Sequence, residues 1–159
     1  MAQKILAFAG SLRSGSFNKK LVRIAADGAR AAGAEVTEID LRDIPMPLYD
    51  GDIEREQGLP PNAKLFKRML MEHHGFLIST PEYNSAMTAV LKNAIDWASR
   101  AEPEEPSLVA FKAKVGGVMS ASPGYFGGVR SLVVLRALLS HLGVIVVPLP
   151  PWLMDVLIC

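Results

Sequence analysis

A chain of 159 residues with half of its side chains hydrophobic can bury one sizeable core, which predicts a single domain over residues 1–159. A formal net charge of +1 with no long basic run argues against nucleic acid as the main partner, and no apolar run approaches the ~20 residues of a membrane span. The single cysteine, Cys159, cannot close an internal disulfide, which suits a cytoplasmic protein.

The opening run KILAFA is apolar without a break over residues 5–9, the pattern of a strand buried on both faces. It is too short, and lacks the cleavage context, for a secretory leader. The next segment, GSLRSGSFN at 10–18, packs turn formers and hydroxyls together. From Asn18 a helix is predicted, with Leu21, Val22, Ile24, Ala25 and Ala29 at helical spacing and Gly33 as its stop. Residues 35–40 alternate polar and apolar, as an edge strand does. A proline-marked connection follows over 41–61. Residues 62–73 carry Leu65, Phe66, Met69 and Leu70 on one helical face. Residues 76–79 read as a strand, then the loop TPEYNSAM at 80–87, then a helix over 88–99 with Val90, Leu91, Ala94, Ile95 and Ala98 inward. The acidic AEPEEP closes it as a solvated loop. A fourth strand is predicted at 115–119, the loop SASPGYFGG at 120–128, a helix at 129–142 ended by Gly143, and a fifth strand at 144–147.

Strand and helix alternate throughout, so right-handed crossovers build a parallel sheet covered on both faces. The predicted class is α/β, a doubly wound flavodoxin-like sheet of five strands in the order 2-1-3-4-5. After the fifth strand comes VPLPPWLMDVLIC, with no pattern for the final helix such a fold usually adds. That predicts a loss of stability more than of chemistry, with the apolar tail as a partial cover.

Ligands of open parallel sheets bind at the carboxyl ends of the strands. Loops 10–18, 80–87 and 120–128 leave those ends on neighbouring strands and should converge. In the first, Gly10 and Gly15 let the backbone turn tightly. Ser11, Ser14, Ser16 and Asn18 supply donors, and Arg13 supplies a fork that matches phosphate. The helix beginning near Asn18 points its free N–H groups at the same place. The nucleoside-triphosphate loop is not met, because Ser16 and Phe17 stand where its Lys and Ser/Thr belong, and the G-x-G-x-x-G pattern also fails. A terminal phosphomonoester fits better. The alternative is a serine-rich turn with Ser16 or Asn18 as N-cap.

GSLRSGSFN and PEYNSAMTAVLKNAIDW together resemble the NADPH-dependent FMN reductase family of quinone, azo-dye and chromate reductases, and the likeness runs on through SASPGYFGG. The resemblance implies a flavodoxin-like fold, non-covalent FMN, and NADPH or NADH as electron donor. It implies Ser11, Arg13, Ser16, Phe17 and Asn18 around the FMN phosphate. It places Pro81, Glu82, Tyr83 and Asn84 against the isoalloxazine and ribityl chain, and Ser120, Ser122 and Gly124 at the other edge. It implies a small-molecule electron acceptor (a quinone, flavin, azo dye or metal oxyanion) and a homodimer or homotetramer. Two helices agree with the last point, the one ending in Trp97 and VRSLVVLRALLSHL, which is apolar round much of its circumference.

Flavin carries its own reactivity, so no acid–base pair is assigned and the catalytic residues stay open. Glu82 reads as a general acid or as a carboxylate capping the next helix. A one-electron carrier of flavodoxin type and a non-catalytic FMN-binding protein are the alternatives. The carrier is disfavoured because flavodoxins are acidic and use a threonine-rich phosphate loop without arginine. His73, His74 and His141 fall at predicted helix ends and lack zinc spacing, so no metal is expected. No G-x-S-x-G elbow marks a hydrolase. Trp97 and Trp152 read as core or interface aromatics.

Overall fold

The computed structural model describes residues 1–148. Its elements in chain order are β1 (Lys4–Ala9), α1 (Phe17–Ala31), β2 (Glu35–Asp40), α2 (Gly51–Gln57), α3 (Pro61–Glu72), β3 (Gly75–Ser79), α4 (Ala89–Ala98), β4 (Val115–Met119), α5 (Val129–His141) and β5 (Ile145–Val146). The strands form one parallel sheet in the order β2-β1-β3-β4-β5, as the alternation predicted. The apolar run of the N-terminus is β1, in the middle of the sheet, with Leu6 through Ala9 buried.

The two faces are filled differently. On one, Leu6, Phe8, Phe76, Ile78 and Val118 pack under α3, α4 and α5 in the main core. Phe66 of α3 meets Phe8 edge-on at 5.3 Å. Each such side chain, fully buried, contributes about 1.5–3 kcal/mol. On the other face, Val22 and Ala26 of α1 cover Ala7 and Ala9, with Leu77 beside them. The small residues of β1 let α1 sit close. Towards the far edge of that face, Val115, Ile145 and Val147 are 46%, 63% and 45% exposed. The expectations for Trp152 and for the tail as a cover concern residues 149–159, which lie outside the described residues.

One helix departs from the sequence reading. The connection 41–61 contains α2, capped by the Asp50 carboxylate, which accepts from the Asp52 N–H at 2.8 Å. It buries none of its residues, so it carries no apolar periodicity to read. The fifth strand is shorter than predicted, two residues at the edge. Trp97 is fully enclosed, its indole N–H donating to the Pro47 carbonyl at 2.9 Å. It is a core residue, so α4 does not offer it to a partner.

Candidate functional site

The register brings the loops together. Ala9 pairs with Ser79, and Ser79 with Met119, so β1, β3 and β4 end at one level. The backbone links continue one residue further: the Gly10 N–H donates to the Ser79 carbonyl at 2.8 Å, and the Thr80 N–H to the Met119 carbonyl at 3.0 Å.

Buried side chains then tie the loops to each other. The Asn18 side-chain oxygen accepts from the Ser79 hydroxyl at 2.7 Å and from the Ala121 N–H at 2.9 Å, while its NH2 donates to the Ala121 carbonyl at 2.9 Å. The Ser120 hydroxyl donates to the Thr80 carbonyl at 2.7 Å. The Thr88 hydroxyl donates to the Gly10 carbonyl at 2.7 Å and accepts from the Leu91 N–H, capping α4. Gly10 passes so near α4 that a Cβ there would lie 2.8 Å from Leu91 Cβ. All these polar side chains are buried. They build a rigid edge rather than reach outward.

Other groups on the first loop are free to bind. Ser16 is the N-cap of α1, yet its hydroxyl makes no capping bond, and the first turn holds no acidic residue. The leading N–H groups of α1 therefore open onto the loop with their positive dipole end uncompensated. Arg13 is exposed, and its guanidinium makes no hydrogen bond or ion pair among the described residues. Ser11 is buried and accepts weakly from the Arg13 N–H, and Phe17 is exposed. A phosphate would meet here a cation, serine hydroxyls and a helix N-terminus. Beside the loop, Leu12 also helps line a cavity of about 480 Å3 with Arg42, Ile44, Met46 and Val90.

The second loop is a tight reversal. Tyr83 and Ala86 exchange both backbone hydrogen bonds, 2.9 and 3.1 Å, around Asn84 and Ser85 at φ 50° and 64°. That is a primed turn, which asparagine tolerates well. It holds the Tyr83 ring outward, 52% exposed, and Pro81 half-buried.

Glu82 does cap a helix, but not the next one. Its carboxylate accepts from the Arg130 N–H at 3.0 Å and the Ser131 N–H at 3.4 Å, at the start of α5, while Thr88 caps α4. The Arg130 side chain returns to Glu82 at 3.5 Å and donates to the Ser85 hydroxyl at 3.1 Å. This pair welds the second loop to the third.

In the third loop Ser122 accepts from the Gly124 N–H at 3.2 Å, leaving both residues near the surface. Gly128 closes the loop at φ +89°, and a Cβ there would sit 1.9 Å from Ser120 Oγ.

Every candidate residue named from the sequence thus lies on one of three convergent loops. Asn18 and Ser120 spend their polar atoms on the frame, whereas Arg13 and Tyr83 are exposed and Ser16 is buried with its hydroxyl making no capping bond. Sequence reasoning missed Ser79, Thr80, Thr88, Gly128 and Arg130. For the three hydroxyl residues the available signal was their place, at the end of an apolar run in IST and at the start of a helical one in MTA. His73 and His74 are tied into the fold. His73 is buried, with its Nδ1–H donating to the Met69 carbonyl at 2.6 Å and Nε2 bonded to the Thr37 hydroxyl at 2.9 Å. His74 Nδ1 accepts from the Lys4 N–H at 3.1 Å.

Residues 3–156 match the family described as NADPH-dependent FMN reductase. Among curated proteins, the chain is 40% identical over 141 residues to an NAD(P)H-dependent FMN reductase of Pseudomonas aeruginosa, covering 89% of this chain and 71% of that one. It is 35% identical over 151 residues to a quinone reductase of Escherichia coli, covering 94% and 76%. Among solved structures, it superposes on a flavoenzyme NAD(P)H:(acceptor) oxidoreductase of Paracoccus denitrificans with a TM-score of 0.79 at 28% identity, covering 94% and 77%.

Proposed function

The chain belongs to the NADPH-dependent FMN reductase family, and from that premise we propose how its own residues serve an FMN-dependent oxidoreductase that takes electrons from NADPH or NADH. The acceptor is a small molecule of the quinone, flavin, azo-dye or metal-oxyanion class. Bound FMN supplies the redox chemistry, and the protein supplies position and electrostatics.

The observation that carries the site assignment is the open N-terminus of α1 beside Arg13, whose guanidinium makes no hydrogen bond or ion pair among the described residues. A phosphomonoester of about −1.5 to −2 charge fits that donor set. Ser11, Ser16 and the first N–H groups of α1, at Phe17 and Asn18, bind the phosphate, with Arg13 closing over it. Pro81, Tyr83 and Asn84 offer surface and backbone groups to the isoalloxazine. Ser122 and Gly124 border its other edge. Glu82 holds the second loop in place through α5 and moves no proton. Asn18 and Ser120 keep the three loops in register.

The chain works as one domain in the cytoplasm, as a homodimer or homotetramer. Val133 and Val134 on α5, 63% and 41% exposed, support a partner there. No helix among the described residues is long and apolar enough to cross a membrane.

The test is to purify the protein, identify its flavin, and add NADPH without oxygen. Rapid bleaching of bound FMN is expected. A protein that binds no FMN, or whose FMN resists NADPH and NADH, overturns the reading. Light scattering that gives a clean monomer at micromolar concentration removes the oligomer.

A further inference from the structure

Tyr125 and Phe126 stand on the third loop, 82% and 58% exposed. Their ring centroids are 5.4 Å apart at 85°, an edge-to-face pair. Together they leave a contiguous aromatic patch in water, the kind of surface that serves recognition. They are also held. The Arg130 guanidinium lies 4.8 Å from the Phe126 ring centroid, and Arg130 is fixed by Glu82 and Ser85 of the second loop. The Gly127 and Val129 N–H groups close turns back to the Gly124 and Phe126 carbonyls at 2.9 Å each. The rings are thus aimed by the same contacts that join the second and third loops, and they rise at the rim of the convergent edge, next to Gly124.

We infer that Tyr125 and Phe126 form the stacking wall for the electron acceptor and select planar aromatic quinones over compact inorganic oxidants. The inference rests on the FMN-reductase reading above. An aromatic ring pair recognises a flat π-face, which a quinone has and a hydrated oxyanion lacks. The overall exchange balances: one quinone, one NAD(P)H and one proton give one hydroquinone and one NAD(P)+. The two rings touch the acceptor, so they set the acceptor's KM.

The experiment compares two acceptors on the FMN-loaded enzyme: menadione, a flat bicyclic quinone, and ferricyanide, an inorganic complex with no aromatic face. Tyr125→Ala/Phe126→Ala should raise the KM for menadione about three- to tenfold. The ferricyanide rate and the anaerobic bleaching by NADPH should stay at the wild-type value. Phe126→Leu keeps apolar volume without the ring and should raise the menadione KM by an intermediate factor. An unchanged menadione KM in both variants overturns the inference. So does a parallel loss with both acceptors and release of flavin, which makes the rings part of the cofactor site. A fall in molar mass by light scattering also overturns it, by placing the rings between copies. If wild-type protein neither binds FMN nor oxidises NADPH, the underlying reading fails first, and that outcome is seen before any variant is made.

Discussion

The Asn18 side-chain oxygen accepts a hydrogen bond from the Ser79 hydroxyl at 2.7 Å, across 61 positions of sequence. The same amide reaches Ala121 through both its oxygen and its nitrogen, across 103 positions. One buried side chain therefore joins α1, the end of β3 and the loop after β4. The Asn18 amide, which reads as a phosphate ligand in the sequence, is part of the frame of the site.

Asn18→Ala should accordingly damage both stability and binding. It leaves the Ser79 hydroxyl and the Ala121 groups without partners, each worth about 1–3 kcal/mol when buried. Thermal unfolding of the apoprotein should show the loss, and FMN titration should show weaker binding. A variant with normal unfolding and reduced affinity would make Asn18 a ligand instead.

Arg13→Ala should do the reverse. The guanidinium is exposed and makes no hydrogen bond or ion pair among the described residues, so unfolding of the apoprotein should stay as it was. Loss of one charge-assisted bond to phosphate weakens FMN by about 1.5–3 kcal/mol. The dissociation constant from titration checks it, and an unchanged value places the phosphate elsewhere.

Gly128→Ala should destabilise by about 2–5 kcal/mol, from the left-handed backbone and the clash with Ser120 together. The two causes separate in a cycle. In a Ser120→Gly background the clash is gone, so the same change should cost only the conformational part, about 1–2 kcal/mol. Equal costs in both backgrounds would show that the neighbouring side chain moves aside freely.

Glu82 separates a cap from an acid. Glu82→Ala removes the acceptor for the first N–H groups of α5 and should cost about 0.5–2 kcal/mol of stability. Flavin bleaching by NADPH should fall by far less than the ~100-fold that loss of a general acid brings. A drop of that size would return Glu82 to the chemistry.

The buried Lys67 gives a pH signature. Its side chain is 2% exposed, and its ammonium is bonded to the Glu105 carboxylate and to the Arg100 carbonyl at 2.7 Å. Hydrogen bonding from Lys67, then from the Glu102 N–H, holds the Glu105 carboxyl below its usual value. A depressed carboxyl stabilises the fold above the ordinary glutamate pKa of about 4.3 and stops doing so as pH falls through its lower folded value. Glu105→Gln should therefore destabilise by about 1–3 kcal/mol at pH 7, and the gap to wild type should close under acid. A constant gap down to pH 3 would refute the linkage.

Strand order and the convergence of the three loops were legible in the sequence, because long apolar runs and helical spacing survive any detail of packing. The direction of each polar side chain was not. Asn18 and Arg13 sit in one turn and look equally suited to phosphate, yet one points into the sheet edge and the other into water. Nothing local distinguishes them, since the partner of Asn18 lies at Ala121. Glu82 misled in the same way: its helix is near in space and 48 residues on in sequence. The short α2 was invisible because none of its residues is fully buried and Ile53 alone packs against the core.

The Asn18 knot also fixes an order of events. Its three strands of contact come from the start, the middle and the last third of the chain, so no N-terminal fragment short of Ala121 contains the edge. During synthesis the first loop emerges long before its neighbours, with its arginine and open helix end but no frame. Long-range closures of this kind are slow to form relative to local turns. Flavin capture at this edge should therefore be a late step, with FMN uptake by a refolding chain following the pairing of its third and fourth strands.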